Sequence, residues 1–350
     1  MIVIVMVVAC IVLVGISYIM LDILSGMVVT PKTQVEERAD PGTLVVPLRD
    51  AAVRCMQVSG DGRYLAYIEE TEAGGVFTLQ VIELNGERSS IFEKGIDGEK
   101  LAWLGVSSEL VYEDGGDIYS LDPASGTGEN LTASPAYDSD PVPSPDGRYV
   151  LWTRTFEGSS DFWVVGADGS DGTLLVDAQD LVVWDPAGSR IMSRRDPAAS
   201  SGEEEGRDIL QTAAPGQGRW EEYAECEGEV EFIWWLSPDT VLYVGPQTVK
   251  GGDAVKGVWS RIEPPDRIKK VASTEGLGSD VSYYLFYPSR EKGLLAYVGE
   301  KGLEYLDYEE RIIHRFISLE AEPPLAWNEA DDALCYVGPD GIYMVEAGEE

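Results

Sequence analysis

Histidine occurs once in 350 residues, as His314, and that scarcity removes most metal and acid–base chemistry. Zinc, iron and copper sites built on histidine clusters cannot be assembled from one imidazole. A Ser-His-Asp triad would need that imidazole beside a nucleophile, and no G-x-S-x-G elbow occurs. His314 lies in the run Ile312-Ile313-His314-Arg315-Phe316 and reads as a strand residue. Cysteine is scarce too: Cys10, Cys55, Cys226 and Cys335 are far apart, and without a C-x-x-C pair a zinc knuckle is excluded. A Cys55–Cys335 bridge is open if the chain closes on itself, but buried thiols are the expected state. No Walker A loop or dinucleotide fingerprint is present. No cofactor is therefore expected, and no catalytic, cofactor-binding or metal-ligating residue is assigned.

Positive charge is the other shortage. Lys and Arg number 26 against 62 Asp and Glu, a formal net charge of −36. Such a surface repels phosphate backbones, so nucleic acid is not an expected partner. Solubility accounts for the excess; a cation-binding or basic-partner surface is the sharper alternative. Carboxylates are so many that no glycosidase-like pair can be chosen from sequence. Asp168-Gly169-Ser170-Asp171-Gly172 and Asp138-Ser139-Asp140 have the oxygen-rich look of calcium loops, yet neither fits an EF-hand, and both read as turns or strand starts.

Against these shortages stand nine Trp, seventeen Tyr, thirty-eight Gly and nineteen Pro, a composition suited to strands joined by many turns. Met1 to Leu21 is apolar almost throughout, and ILSGMVV carries that character to Val29. About 20 apolar residues span a bilayer as a helix. With no basic residue before it, the run reads as an uncleaved anchor rather than a signal peptide, and Val7-Val8-Ala9-Cys10 is too near the start for a lipobox. Residues 30–42, polar with Pro near each end, read as a linker. Thr43 to Leu48 is a short strand without a partner nearby in sequence.

From Cys55 onward a unit repeats. Its second strand is marked by Leu65-Ala66-Tyr67, Leu110-Val111-Tyr112, Val150-Leu151-Trp152, Ile191-Met192-Ser193, Val241-Leu242-Tyr243, Leu295-Ala296-Tyr297 and Leu334-Cys335-Tyr336. A period of about 40–45 residues is that of a four-stranded propeller blade. Turn signals precede these strands, as in Ser59-Gly60-Asp61-Gly62 and Ser144-Pro145-Asp146-Gly147. Short fourth strands are expected at Ser89–Phe92, Glu129–Thr132, Thr173–Val176, Lys269–Ala272 and Ile312–Ile317. The last copy ends one strand short, and the spare strand at 43–48 is the natural substitute that would close a ring. Asp196–Arg207 and Lys250–Ala254 read as loop insertions. Trp103, Trp184, Trp234 or Trp235, and Trp327 recur at similar places. They suit packing between blades or, alternatively, an aromatic mouth for sugar or peptide ligands.

The stretch Asp138 to Thr155, DSDPVPSPDGRYVLWTR, resembles the TolB-type, WD-repeat-like propeller repeat, although Val142-Pro143 stands where an aromatic is usual. Ser59 to Tyr67 matches less fully. The resemblance extends over Thr43 to Glu350. It implies an all-β fold and a binding or scaffolding propeller, often outside the cytoplasm in bacteria.

The expectation is thus a seven-bladed β-propeller, six-bladed if the fourth copy is not a blade, preceded by one N-terminal transmembrane helix. The anchor is residues 1–29, the linker 30–42 and the propeller 43–350, its last blade closed by 43–48. The expected function is non-enzymatic binding of a protein, peptide or cell-envelope ligand. The alternative is a lyase- or glycosidase-type enzyme with carboxylates in the central channel. Lys32 and Arg38 after the apolar run lean toward a cytoplasmic body, while the resemblance points outward; the extracytoplasmic side is the reading taken. A subunit of a membrane complex is a further possibility, for which Ala9, Gly15 and Ser17 offer small side chains on the helix.

Overall fold

The computed structural model describes residues 34–347 apart from 41, 49–50, 73–75, 85–89, 171, 176–179, 197–206, 227, 238–239, 249–253, 263–266, 274–285, 290–291, 300–301, 309, 311 and 317–319. The apolar run 1–29, Cys10 and most of both insertions lie outside these residues. Among the described residues no helix is long and apolar enough to cross a membrane.

Every regular element described is a strand. Two precede the repeats: β1 (Gln34–Arg38) and β2 (Thr43–Pro47). Sheet 1 holds β3 (Ala52–Val58), β4 (Tyr64–Glu72), β5 (Val76–Glu83) and β6 (Ser90–Ile96). Sheet 2 holds β7 (Leu101–Trp103), β8 (Leu110–Asp114) and β9 (Asp117–Leu121). Sheet 3 holds β10 (Tyr137–Pro143), β11 (Tyr149–Phe156), β12 (Ser159–Gly166) and β13 (Thr173–Leu175). Sheet 4 holds β14 (Asp180–Trp184), β15 (Ile191–Arg195), β16 (Ile209–Ala213) and β17 (Glu221–Glu225). Sheet 5 holds β18 (Phe232–Ser237), β19 (Thr240–Thr248), β20 (Ala254–Ile262) and β21 (Arg267–Ser273). Sheet 6 holds β22 (Tyr287–Pro288), β23 (Leu294–Gly299), β24 (Gly302–Asp307) and β25 (Ile312–Phe316), with β1 outermost. Sheet 7 holds β26 (Glu322–Trp327), β27 (Ala333–Gly338) and β28 (Gly341–Glu346), with β2 outermost.

The apolar triplets of the second strands explain why these sheets stack as propeller blades. Successive side chains of a strand point to opposite faces. Leu65 and Tyr67 enter a core shared with sheet 7 through Ala326, Cys335 and Ile342, while Ala66 and Ile68 enter one shared with sheet 2 through Trp103 and Leu110. In sheet 3, Val150 and Trp152 face sheet 2, and Leu151 faces sheet 4. A strand buried on both faces therefore reads as a continuous apolar run instead of an alternating one. Seven such cores lie between consecutive sheets, one of them between the seventh and the first. Each fully buried Leu or Tyr in them contributes about 1.5–3 kcal/mol.

The turn chemistry recurs with the same logic. Ser144, fully buried, accepts the Tyr149 amide at 3.0 Å on its Oγ and donates to Asp146 at 2.7 Å. Ser59 does the same for Tyr64 and Asp61 at 2.9 and 2.7 Å. Ser289 accepts Leu294 N–H at 2.9 Å, Asn328 accepts Ala333 N–H at 2.9 Å, and Asp185 accepts Arg190 N–H at 3.0 Å. Gly147 turns the chain at φ +71°, where an L side chain is strained.

Two expectations change. The segment expected to be a linker, 30–42, contains β1, which pairs in parallel with β25 from Gln34↔Ile312 to Arg38↔Phe316. Its strand state comes from the open backbone edge of β25, along which Glu37 ion-pairs with Arg315 and Glu36 Oε2 lies 3.5 Å from His314 Nδ1. The fourth strand expected at Glu129–Thr132 is only a bridge, Tyr119↔Asn130. There Asn130 Oδ1 accepts the amides of Thr132 and Ala133 at 3.0 and 2.8 Å, a local turn that competes with a ladder. The diverged fourth copy forms a four-stranded sheet whose third and fourth strands, β16 and β17, lack the marks seen in the other copies.

β2 runs antiparallel to β28, from Thr43↔Met344 to Pro47↔Gly341. Val45 of β2 is buried in the same core as Ile342 and Val53. Cys335 is buried there too and is not joined to Cys55.

Candidate functional site

The first strand of each repeat is the inner edge of its sheet, so these strands line the centre of the ring. Tyr287 of β22 lies near Cys55 of β3, two sheets away, and burial pushes its phenol up to about 12. Cys55 Sγ donates to the Leu101 carbonyl of β7 at 3.8 Å, and burial raises its thiol as well.

The recurring tryptophans are core, not mouth. Trp103, Trp184, Trp234, Trp235 and Trp327 are all buried. Trp234 packs toward sheet 6 and Trp235 toward sheet 4, as strand alternation requires. Three of them repeat one contact. Trp103 Nε1 donates to Gln57 O at 3.1 Å, Trp184 Nε1 to Val142 O at 2.9 Å, and Trp327 Nε1 to Tyr287 O at 2.8 Å, each time onto the inner strand of the preceding sheet.

Acid gathers at the end where the inner strands begin. There β10 carries Asp138 and Asp140, the approach to β7 carries Asp97 and Glu99, β8 ends in Glu113 and Asp114, and the approach to β26 carries Glu320 and Glu322. Bulges interrupt β3, β10, β14 and β26 near their starts, and Asp140 sits in one of them at φ +54°. Bulges re-aim side chains and frequently flank binding sites.

Two of these acids are structural. Asp138, fully buried, accepts both Arg154 Nε at 2.7 Å and Nη2 at 2.9 Å, and Trp152 Nε1 at 3.0 Å. Arg154 stacks on Trp163 at 4.8 Å, and its hydrogen bonds to Asp138 hold its guanidinium charged. Glu113, 6% exposed, accepts the amides of Asp140 and, at 3.3 Å, Glu99. Burial raises its carboxyl, and the charge of Asp140 adds to the rise.

A cleft of about 830 Å³ opens on the same end, at the seam of sheets 1 and 7. Its walls are the start of β3 (Ala52, Val53, Arg54), the start of β26 (Glu320 to Pro323) and the β27–β28 turn (Gly338 to Gly341). Arg54 Nε donates to Glu70 at 2.8 Å, so its charge is balanced by a carboxylate of the neighbouring strand β4. That leaves Glu320, Glu322 and Asp340, all exposed, to set the sign of the cleft. Two exposed aromatics stand on this end as well: Tyr137 at 55% and Phe156 at 50%.

Sequence reasoning named no site residue, and it missed this face for a definable reason. The acids come from different repeats and meet only when the inner strands are brought side by side. One signal was present: carboxylates follow the second-strand aromatic in two copies, as Glu69-Glu70 and Glu113-Asp114. Among the described residues no cluster of His, Cys, Asp and Glu has the geometry of a metal site. His314 is a buried strand residue of sheet 6, away from the cleft walls. The Asp168–Ser170 segment is a hairpin turn in which Asp168 accepts the Ser170 amide at 3.0 Å.

An all-β propeller is the class these observations define. The β-propeller domain of the Trilobed protease from Pyrococcus furiosus superposes with a TM-score of 0.62 at 9% identity, covering 86% of this chain and 95% of that one. Oligogalacturonate lyase in complex with manganese superposes with a TM-score of 0.60 at 12% identity, covering 89% and 99%. TolB from Acinetobacter baumannii gives a TM-score of 0.48 at 16% identity over 73% of this chain and 63% of that one. At these identities the likeness is one of fold. In sequence the chain is 24% identical over 151 residues to Atu1656, an uncharacterised protein of Agrobacterium fabrum, and the match takes in 41% of this chain. The match spans about half the length of that relative, 48%. No protein-family profile matches the chain.

Proposed function

We propose that this chain is a seven-bladed binding propeller, closed by residues 43–48, that holds a protein, peptide or cell-envelope ligand at the acidic end of the ring. Residues 1–29 would anchor it in a membrane as a single helix, with the propeller on the extracytoplasmic side. The observation that carries the binding reading is the seam cleft. It is the size of a small-ligand or peptide site, and its Arg54 is already neutralised, so Glu320, Glu322 and Asp340 favour a ligand bearing positive charge. The open backbone edges of the inner strands offer main-chain hydrogen bonds to an extended segment.

The enzyme reading has one observation in its favour. Glu113 and Asp140 are neighbouring carboxylates, and the Glu113 carboxyl is raised by burial, as in a general-acid pair. Against it, Glu113 is 6% exposed and both its oxygens accept backbone amides, which ties the carboxyl to the fold and away from a substrate. The binding reading is therefore preferred.

Site-specific photo-crosslinking in cells tests it. A photoreactive residue at Glu322 should give a discrete adduct, and one at Val106, 75% exposed at the opposite end, should not. Equal adducts at both positions, or none at Glu322, would overturn the assignment. A reporter fused after Glu350 and active on one side of the membrane tests the orientation.

A further inference from the structure

The only histidine of the chain lies beneath the only parallel strand among the described residues. β1 is the fifth and outermost strand of sheet 6, and after a short connection the chain becomes β2, the outermost strand of sheet 7. β1 and β2 thus tie consecutive stretches of the chain to two neighbouring sheets at the rim. The two halves of this strap are held differently. β2 buries Val45 in a core, whereas β1 has no buried residue, and its Val35 is 46% exposed. Beyond backbone pairing, the hold on β1 is electrostatic. Glu36 is paired in register with His314, and Glu36 Oε2 lies 3.5 Å from His314 Nδ1. Glu37 Oε1 lies 3.4 Å from Arg315 Nη1.

These two contacts differ in how they respond to acid. Arg315 is charged at every relevant pH, and on its other side it is held by Glu304. His314 carries an imidazole, the side-chain type that gains or loses its charge within the physiological pH range. We propose that His314 is a proton-operated latch for β1: protonation fastens the strap to sheet 6, and deprotonation loosens it while β2 stays in place. The groups facing the imidazole fit that role. Glu36 from β1 supplies the negative charge. Tyr305 from β24 stacks on the ring at 4.5 Å and 19°, neutral, with its hydroxyl given to the Ala347 carbonyl. Trp327 from β26 meets the edge of Tyr305 at 5.7 Å. Arg38, two residues along β1 on the same side as Glu36, donates to Ala347 O at 3.5 Å and brings a positive charge to that side of the strand. On β25, Ile312 and Phe316 flank the histidine with apolar surface.

The sign follows from linkage. Docking β1 brings the Glu36 carboxylate to the imidazole, and that attraction exists only for the charged ring, so by reciprocity it couples protonation to docking. The added hold is present while the imidazole is charged and is lost as the ring gives up its proton. Because Glu36 is half-exposed, the effect is modest, about a 2- to 5-fold change in strap opening.

Because the chain has a single histidine, the full-length protein labelled with ¹³C-histidine gives one titrating resonance. Glu36→Gln should lower its midpoint by a few tenths of a unit, and an unchanged midpoint would overturn the latch. Hydrogen exchange supplies the second readout. Relative to the β4 amides, protection of β1 should fall about 2- to 5-fold between pH 5 and pH 8. The same ratio in β2 should stay constant, and in Glu36→Gln and His314→Phe the fall in β1 should vanish. A pH-independent ratio in the wild type, or a fall that survives in Glu36→Gln, would refute the proposal. Glu36 is on the surface, so that variant keeps the test valid even if His314→Phe misfolds.

Discussion

The indole nitrogen of Trp184 donates to the backbone carbonyl of Val142, 2.9 Å away on the inner strand of the preceding sheet. Tyr149 stacks against the same indole at 6.2 Å and 15°, and the Arg148 guanidinium lies 5.5 Å over Tyr149. Sheet 1 and sheet 2 repeat the arrangement with Arg63, Tyr64 and Trp103. Trp235 occupies the same register position in sheet 5, beneath Arg190, but its Nε1 is buried without an acceptor. The turn after it is one residue shorter than its counterparts, five residues between Trp235 and Val241 against six between Trp184 and Ile191.

That difference predicts unequal costs for one substitution. Trp184→Phe removes a hydrogen bond donated to a half-buried carbonyl, and should cost about 0.5–1.5 kcal/mol more than Trp235→Phe, which removes no bond. Urea unfolding of the two variants decides it; equal losses would mean the recurring bond contributes nothing.

The buried pair in sheet 3 predicts a larger effect. Asp138→Ala leaves the Arg154 guanidinium without its carboxylate and Trp152 Nε1 without its acceptor. The expected loss is about 3–5 kcal/mol. Replacing Arg154 by Met in the same chain should recover part of it, because the stranded charge is then gone. Thermal unfolding of the single and double variants gives the comparison, and no recovery would place the cost in packing instead.

Glu113 predicts a pH dependence. Its folded carboxyl is raised above the ordinary value of 4.5, first by burial and then by Asp140, so the fold disfavours its charged form. Its contribution to stability is fully present below the ordinary value and is lost as pH rises through the folded one. Wild type should therefore lose stability relative to Glu113→Gln between pH 4 and pH 8. A stability difference that stays constant over that span, measured by urea unfolding, would count against the assignment.

The turn serine gives a fourth test. Ser144→Ala leaves the half-buried Tyr149 amide without its side-chain acceptor and should cost about 0.5–1.5 kcal/mol. Ser59→Ala should cost a similar amount, since Ser59 makes the same bond to Tyr64. A cost at only one of the two would show that the turns are not equivalent.

Much of the architecture was written locally. A serine that caps its own turn, a glycine at positive φ and an apolar triplet buried on both faces are decided within about ten residues, so each repeat announces itself. The recurring tryptophans are core for the same reason, since a large ring on an inner strand has a neighbouring sheet on either side. The strand β1 was not legible, because QVEER has no apolar periodicity. It becomes a strand only where the open edge of β25 presents His314 and Arg315 to Glu36 and Glu37. The failed fourth strand at Glu129–Thr132 is the converse, a β-like sequence lost to side-chain hydrogen bonds within the turn.

The sequence by itself determined the repeat, the turns, the acidic excess and the poverty of catalytic groups, because these depend on residues close together in the chain. Tertiary structure alone decided where the acid collects. Glu320, Glu322 and Asp340 become one cleft with Arg54 only after the last sheet meets the first, across more than 250 residues of chain. That Arg54 is paired with Glu70 while Glu320 and Glu322 stay exposed is set by distances that no spacing in the sequence encodes.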